Sequence, residues 1–258
     1  MRSFLLSSYT LWKREFVRFL RQPSRLASAL LQPLVFWLFV GAGLSPSFKP
    51  AGISAGISYL EYFYPGILLM TLLFTSMFSM FSIIEDRERG FLQAVLVSPA
   101  PRLSLIFGKV FGGATIGLLE AVVFLFLAPS IGIHLSLFSI FPVLAVLFLI
   151  AAVITMFGFS IAWQMDSFQA FHAIMMLILF PLWFLSGAFF PLDGLPKLLE
   201  WLTRINPLTY ALSALRGVLY EKGTFELPPL CISLLVTISF GLVTFFISWY
   251  STCRKRLR

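Results

Sequence analysis

Residues 137–162 read LFSIFPVLAVLFLIAAVITMFGFSIA, 26 consecutive positions without an Asp, Glu, Lys or Arg. At roughly 1.5 Å per residue, a helix of that length outreaches a hydrocarbon core of about 30 Å. Polar residues do not recur on one side, as they would on a helix that covers the core of a soluble domain. Apolar residues do not alternate with period two, as they would in a strand of a membrane barrel. Hydrocarbon tolerates a backbone whose polar groups are satisfied within the segment, so the stretch predicts a transmembrane helix.

Five further runs extend the pattern outward: Leu26–Leu44, Tyr62–Ile84, Val110–Ala128, Ala170–Phe190 and Leu227–Tyr250. The six are 19 to 26 residues long, and five of them contain no Asp, Glu, Lys or Arg. The whole chain is 59% hydrophobic and 12% charged, with a mean hydropathy of +0.93. A soluble domain carries about twice that charged fraction. The expected fold is therefore all-α: a polytopic membrane protein with six transmembrane helices. It forms a single domain over 1–258, with an amphipathic N-terminal helix (1–25), the bundle (26–250) and a basic tail (251–258). No connection is long enough for an independent soluble core.

Basic residues set the expected orientation. Arg2, Lys13, Arg14, Arg18, Arg21 and Arg25 precede the first run. Arg87, Arg89, Arg102 and Lys109 lie between the second and third, and Arg254, Lys255, Arg256 and Arg258 close the chain. These are 14 of the 19 Lys and Arg residues; Lys49, Lys197, Arg204, Arg216 and Lys222 fall on the opposite side. The positive-inside rule places the larger set, and with it both termini, in the cytoplasm of a cell (inner or plasma) membrane. The net charge of +8 reads as attraction to membrane lipid rather than to nucleic acid. Cys231 and Cys253 are separated by roughly 33 Å of helix and cannot bridge within the chain.

Three connections carry pattern of their own. Before the first run, Tyr9, Trp12, Phe16 and Phe19 mark one helix face and Arg14, Arg18 and Arg21 the other, which predicts an interfacial helix with its basic side toward lipid phosphates. The loop Glu85–Lys109 opens on Glu85-Asp86-Arg87-Glu88-Arg89-Gly90, continues with Phe91, Leu92, Val95 and Leu96 at one-turn spacing, and stops at Ser98-Pro99. It suits either a docking peg for another protein or a solvated connector. On the outer side, Leu195, Leu198, Leu199 and Leu202 form an amphipathic stripe. Asn206 then stands at an N-cap position with Pro207 at the first helical one, and Leu208, Leu212, Leu215 and Leu219 mark a second helix. Trp201 and Tyr210 suit a membrane interface.

Chemistry-bearing residues are few. Gly108-Lys109 lacks the leading glycine of a phosphate-binding loop, because Arg102 stands there. His134 and His172 are isolated, so no metal site is expected. Glu120 lies in mid-run, where an ionisable group costs about 3 kcal/mol unless it faces protein or water. It should point into the bundle, as a substrate or proton contact or as a hydrogen-bonded contact between helices. Phe36 and Phe39 in the first run and Phe74 and Phe78 in the second are candidates to line an apolar path.

The stretch Leu185-Ser186-Gly187-Ala188-Phe189-Phe190-Pro191-Leu192, then Leu195-Pro196, Asn206-Pro207-Leu208-Thr209-Tyr210 and Ala214-Leu215-Arg216, resembles the C-terminal signature of type-2 ATP-binding-cassette (ABC) exporter permeases. Residues Glu85–Gly90 and Leu96-Val97-Ser98-Pro99 resemble that family's first cytoplasmic loop, and the likeness is nearest its drug-resistance and nodulation branch. The resemblance implies a non-catalytic permease that works as a dimer, expected to be a homodimer, over two copies of an ABC ATPase subunit. ATP and Mg would sit on that partner, and this chain would hold no cofactor. About Glu85–Pro99 would be the coupling helix, and Leu195–Leu219, with Pro191 before them, the re-entrant helices that close the exit. The cargo would be hydrophobic or amphipathic: a drug-like molecule, a lipid or a lipid-linked glycan. A secondary transporter or a membrane scaffold independent of ATP is the alternative. The former would show repeated halves and more intramembrane charge.

Overall fold

The computed structural model describes residues 2–44, 58–133, 137–192, 195–220 and 228–254; Lys49, His134, Lys222, Lys255, Arg256 and Arg258 lie outside them. Among the described residues the chain is all-helical. The first helices are α1 (Arg2–Leu20), α2 (Pro23–Leu44), α3 (Tyr59–Ser79), α4 (Phe81–Glu88) and α5 (Phe91–Val97). Then come α6 (Arg102–Leu125), α7 (Leu137–Ala162), α8 (Phe168–Phe184), α9 (Lys197–Ile205), α10 (Pro207–Leu219) and α11 (Leu230–Arg254).

Among the described residues, four helical stretches are long and apolar enough to cross a membrane: Tyr59–Glu88, Arg102–Leu125, Phe138–Ala162 and Leu230–Arg254. The first is α3 and α4 run together through Met80, and it is the axis of the bundle. Its apolar stretch is 89% buried, against 17% for α11 at the periphery. Around α3 stand α2, α6, α7, α8 and α10, while α11 packs on α7 and α10. Ser233, Thr237, Thr244, Ser248 and Thr252 form the buried face of α11, each hydroxyl donating to a carbonyl of its own helix or packed beside one that does. Lipid is as apolar as leucine, so close packing of such small residues, not hydrophobic drive, holds the peripheral helix in place.

Element boundaries depart from the predicted runs in two places. The expected fifth run, Ala170–Phe190, is helical only to Phe184, so α8 rises about 25 Å and is shorter than a full crossing. The chain turns at Gly187, whose φ of +84° favours a residue without Cβ. The turn is tied to α3 by Tyr62, whose hydroxyl donates to Gly187 O at 2.8 Å, and by Tyr59, which donates to Phe189 O at 3.2 Å. The first run agrees with expectation: Leu26–Leu44 lies wholly within α2, which rises about 33 Å over its 22 residues. The expected loop Glu85–Lys109 is mostly helix: α4 continues to Glu88, and α6 begins at Arg102, which places Lys109 inside a helix rather than in a connector.

The N-terminal helix also departs from expectation. Rather than lying free in the headgroups, α1 runs along α6. Gly108 and Gly112 make the approach possible: a Cβ on Gly108 would come within 2.5 Å of Leu11 Cβ, and one on Gly112 within 2.9 Å of Glu15 Cβ. Trp12 donates its indole N–H to Thr115 Oγ1 at 3.0 Å, and Phe19 is buried. Leu5, Leu6 and Tyr9 remain exposed as an outward apolar edge.

Candidate functional site

At the end of the bundle that carries most basic residues, α1, α4 and α6 converge on Asp86. Arg14 grips its carboxylate with two bonds, Nη1 to Oδ2 at 2.9 Å and Nη2 to Oδ1 at 2.5 Å, and Arg18 Nη2 adds a third at 3.2 Å. Lys109 Nζ donates to Asp86 as well, to Glu15 Oε1 at 2.7 Å and to Ser82 Oγ at 2.9 Å, which uses all three ammonium hydrogens. Asp86 and Lys109 are fully buried, and Glu15 nearly so. Glu85 closes the cluster by pairing with Arg18 at 3.5 Å and Arg89 at 2.6 Å. Hydrogen bonding to Asp86 raises the pKa of the Arg14 guanidinium further above its ordinary value.

The arithmetic of this knot explains why it can be buried. Arg14, Arg18 and Lys109 supply three positive charges against the three negative ones of Glu15, Glu85 and Asp86, while Arg89, which also pairs with Glu85, is 68% exposed and leaves its charge to solvent. A buried charge stripped of its partner is strongly destabilising, at about 3–5 kcal/mol. Thus Arg14 and Arg18, expected to face lipid phosphates, instead face carboxylates of the same chain. Their pairing with Asp86 bridges 72 and 68 positions of sequence, a separation that no local periodicity reports. One signal was available: Glu15 is the only acid before Glu61, set between two arginines.

The predicted coupling residues divide on either side of this knot. Asp86 on α4 and Leu92 on α5 are buried, Phe91 lies under the Arg14 guanidinium at 3.7 Å, and Val95 and Leu96 pack against the core. Gly90, with φ +74°, reverses the chain between α4 and α5. Arg87 caps the far end of α7, donating to Trp163 O at 2.7 Å, to Met165 O and to Asp166 Oδ1 at 3.0 Å. What α4 and α5 present outward is Glu88, Arg89, Gln93, Ala94 and Val97, the last 76% exposed.

Deeper in the bundle, Glu120 points inward as expected. It is fully buried, and the Thr75 hydroxyl donates to its Oε2. The pair forms part of the wall of a cavity of about 280 Å³ that runs between α1, α2, α3 and α6 and reaches Glu15 and Arg18 at the knot. Phe74 and Phe78 line it too. Phe36 and Phe39 do not: Phe36 joins an aromatic cluster with Phe63, Trp183 and Phe189, and Phe39 faces outward at 76% exposure. His172 stacks beside Phe78 and Phe81.

The opposite end of the bundle is held by Arg216. Its Nη2 donates to Gly187 O at 2.9 Å and Tyr62 O at 3.4 Å, and the guanidinium lies 4.4 Å from the centre of the Tyr62 ring. Asn206 caps α10 as its position predicts, accepting from Leu208 N at 3.0 Å, and also donates to Leu182 O at 2.7 Å. Pro207 opens α10, and Tyr210 donates back to Arg204 O at 2.9 Å. Pro191 and Leu195 lie half-buried in the connection before α9. On α9, Leu198, Trp201 and Ile205 are exposed along one side.

Comparison with known proteins agrees with this architecture. The family model described as "ABC-2 type transporter" matches residues 7–220. "Putative transport permease ycf38" of Cyanophora paradoxa is 32% identical over 95% of this chain and 88% of its own. "Inner membrane transport permease YadH" of Escherichia coli (strain K12) is 26% identical over 95% and 91%, respectively. "Nodulation protein J" of Rhizobium leguminosarum bv. trifolii is 24% identical over 98% and 95%.

Proposed function

Because the chain belongs to the ABC-2 type transporter family and is a transport permease with membrane-spanning helices, we propose that it is the membrane subunit of an ATP-driven exporter. In this reading six helices span the plasma membrane, with α8 as the shortest and both termini in the cytoplasm. Two copies of the chain sit over two copies of a separate ATPase, which holds ATP and Mg. The cargo is hydrophobic or amphipathic: a drug-like molecule, a lipid or a lipid-linked glycan.

The observation that carries the reading is the buried knot on Asp86. It joins α1, α4 and α6 into one body directly beneath α5. A displacement of α5 by a bound ATPase would therefore move α3 and α6, and with them the Thr75–Glu120 contact, without passing through a slack loop. The face that docks is the exposed one, Glu88, Arg89, Gln93, Ala94 and Val97, while Asp86 and Leu92 support it from below. At the other end, Leu198, Trp201 and Ile205 rest α9 against the outer leaflet. Arg216 then holds α10 over the exit.

The test is assembly with a cognate ABC ATPase, using the double variant Gln93→Glu, Val97→Arg. Both positions are exposed, so the melting temperature of the isolated permease should stay unchanged. Copurification and stimulation of ATP hydrolysis should fall at least tenfold. Full assembly and coupling in that variant would overturn the docking face. Transport by the purified chain alone, driven by an ion gradient and indifferent to nucleotide, would overturn the exporter reading.

A further inference from the structure

The wall of the cavity between α1, α2, α3 and α6 is chemically one-sided. Thr71, Thr75, Ser79 and Ser82 recur at spacings of four, four and three, so they form one hydroxyl stripe along α3 and α4, roughly 16 Å long. Each hydroxyl has one hydrogen to give. Thr71 gives it to Ile67 O at 3.0 Å, Ser79 to Ser76 O at 2.6 Å, and Thr75 to Glu120. Ser82 is engaged from the other direction by the Lys109 ammonium at 2.9 Å. What remains toward the cavity from Thr71, Thr75 and Ser79 is lone pairs. These three positions accept and do not donate, whereas Ser82 keeps its hydrogen and Gln32 adds an amide from α2.

Charge points the same way. Three ionisable residues border the space: Glu15, Arg18 and Glu120. Glu15 is bound by Lys109, and Arg18 Nη2 pairs with Asp86 and Glu85 while its Nη1 lies 3.8 Å from Glu15 without a hydrogen bond, so both charges are balanced within the knot. Glu120 stands one hydrogen bond behind the wall, screened from the cavity by Thr75, at a depth where the low dielectric lets a carboxylate act strongly over several ångströms. Beside the hydroxyls, on the same helix, Phe74 and Phe78 offer ring surface suited to a cation and to an apolar body.

We propose that this cavity binds a primary or secondary ammonium carrying a single apolar chain or ring. Its N–H groups donate to Thr75 and Ser79 within reach of the Glu120 charge, and its apolar part lies on Phe74 and Phe78. The volume is near the lower end of known small-molecule pockets, about 300 Å³, and excludes a whole two-chain lipid, although a lipid could place its ammonium there. As a cargo site the assignment rests on the exporter reading. Binding itself requires neither ATP nor the ATPase.

The experiment uses the full chain in phosphatidylcholine nanodiscs, with octylamine, octyltrimethylammonium and octanol titrated against loaded and empty discs. Octylamine should bind saturably, and both comparators at least tenfold more weakly, since one lacks N–H donors and the other lacks charge. Glu120→Gln should weaken octylamine at least tenfold and leave octanol unchanged, and Thr75→Val should weaken octylamine severalfold. Equal binding of octanol or of the quaternary amine by the wild-type chain overturns the proposal, whether or not any variant folds. Undiminished octylamine binding by folded Glu120→Gln overturns it as well. Discs containing phosphatidylethanolamine separate the two sources of the ammonium: competition with octylamine assigns the site to a lipid headgroup, and its absence to a free amphiphile. Binding that never stimulates the partner's ATP hydrolysis would preserve the site and remove its role as a cargo site.

Discussion

The two ends of this bundle solve one problem with different chemistry. Helices in lipid gain little from burying apolar surface against one another, so their ends need polar ties. At the basic end the tie is ionic and balanced, three cations against three anions drawn from α1, α4 and α6. At the far end the tie is made of dipoles: Arg216 meets the carbonyls of Gly187 and Tyr62 and the face of one tyrosine ring. The ionic knot fastens a separate helix, α1, to the core. The arginine clamp fastens a turn to the helix that follows it, 29 residues away. A balanced knot cannot lose one member without stranding the others, whereas a clamp on neutral carbonyls leaves no buried charge behind when it is cut.

The largest effect should therefore follow Asp86→Asn. The amide cannot accept three cationic donors, and Lys109, Arg14 and Arg18 are left in excess beneath α5. A cost of about 3–5 kcal/mol is expected, read as a large fall in the melting temperature of the purified chain and as early proteolysis of α1. Wild-type stability in that variant would mean that water already shields the knot, and the contrast between the two ends would vanish.

Arg216→Met comes next. It removes two charge-assisted hydrogen bonds but leaves only carbonyl oxygens unserved, so the expected cost is about 1.5–3 kcal/mol, with α1 still protected from protease. Arg216→Lys should restore part of the loss, because an ammonium can reach one carbonyl but cannot spread over the Tyr62 ring. A loss larger than that of Asp86→Asn would reverse the ranking of the two ties.

These residues differ in how far they could be read from the chain. Long apolar runs announce helices because hydrocarbon leaves the backbone no other choice, and Asn206-Pro207 announces the start of α10 through capping alone. Glu120 was legible as inward-facing, since one charge in a mid-bilayer run has nowhere else to go. The knot was not legible. Arg14 and Arg18 lie on the face opposite the aromatics, a pattern shared with any lipid-bound helix. Their real partner, Asp86, sits in a run of mixed charges that looks solvated. The shortness of α8 was hidden for a similar reason: Leu185, Ala188 and Phe189 are apolar enough to extend a span, and only the tie of Gly187 to Tyr62 and Arg216 folds them back. Tertiary partners far away in sequence decided both cases.

The smallest effect sharpens the comparison most cleanly. Arg204 and Glu200 on α9 are paired at 2.5 Å, the same N–O separation as between Arg14 Nη2 and Asp86 Oδ1. Contact length alone would rate the two equal. Their surroundings differ: Asp86 is fully buried, whereas Glu200 and Arg204 are 44% and 73% exposed. An exposed pair four residues apart on a helix contributes about 0.3–0.5 kcal/mol and is screened by salt. Glu200→Gln should thus shift the melting temperature by no more than a degree or so at low ionic strength, and not measurably at high salt. Should Glu200→Gln cost as much as Asp86→Asn, distance rather than burial would govern these bridges, and the account of the basic end as a charge-balanced knot would lose its footing.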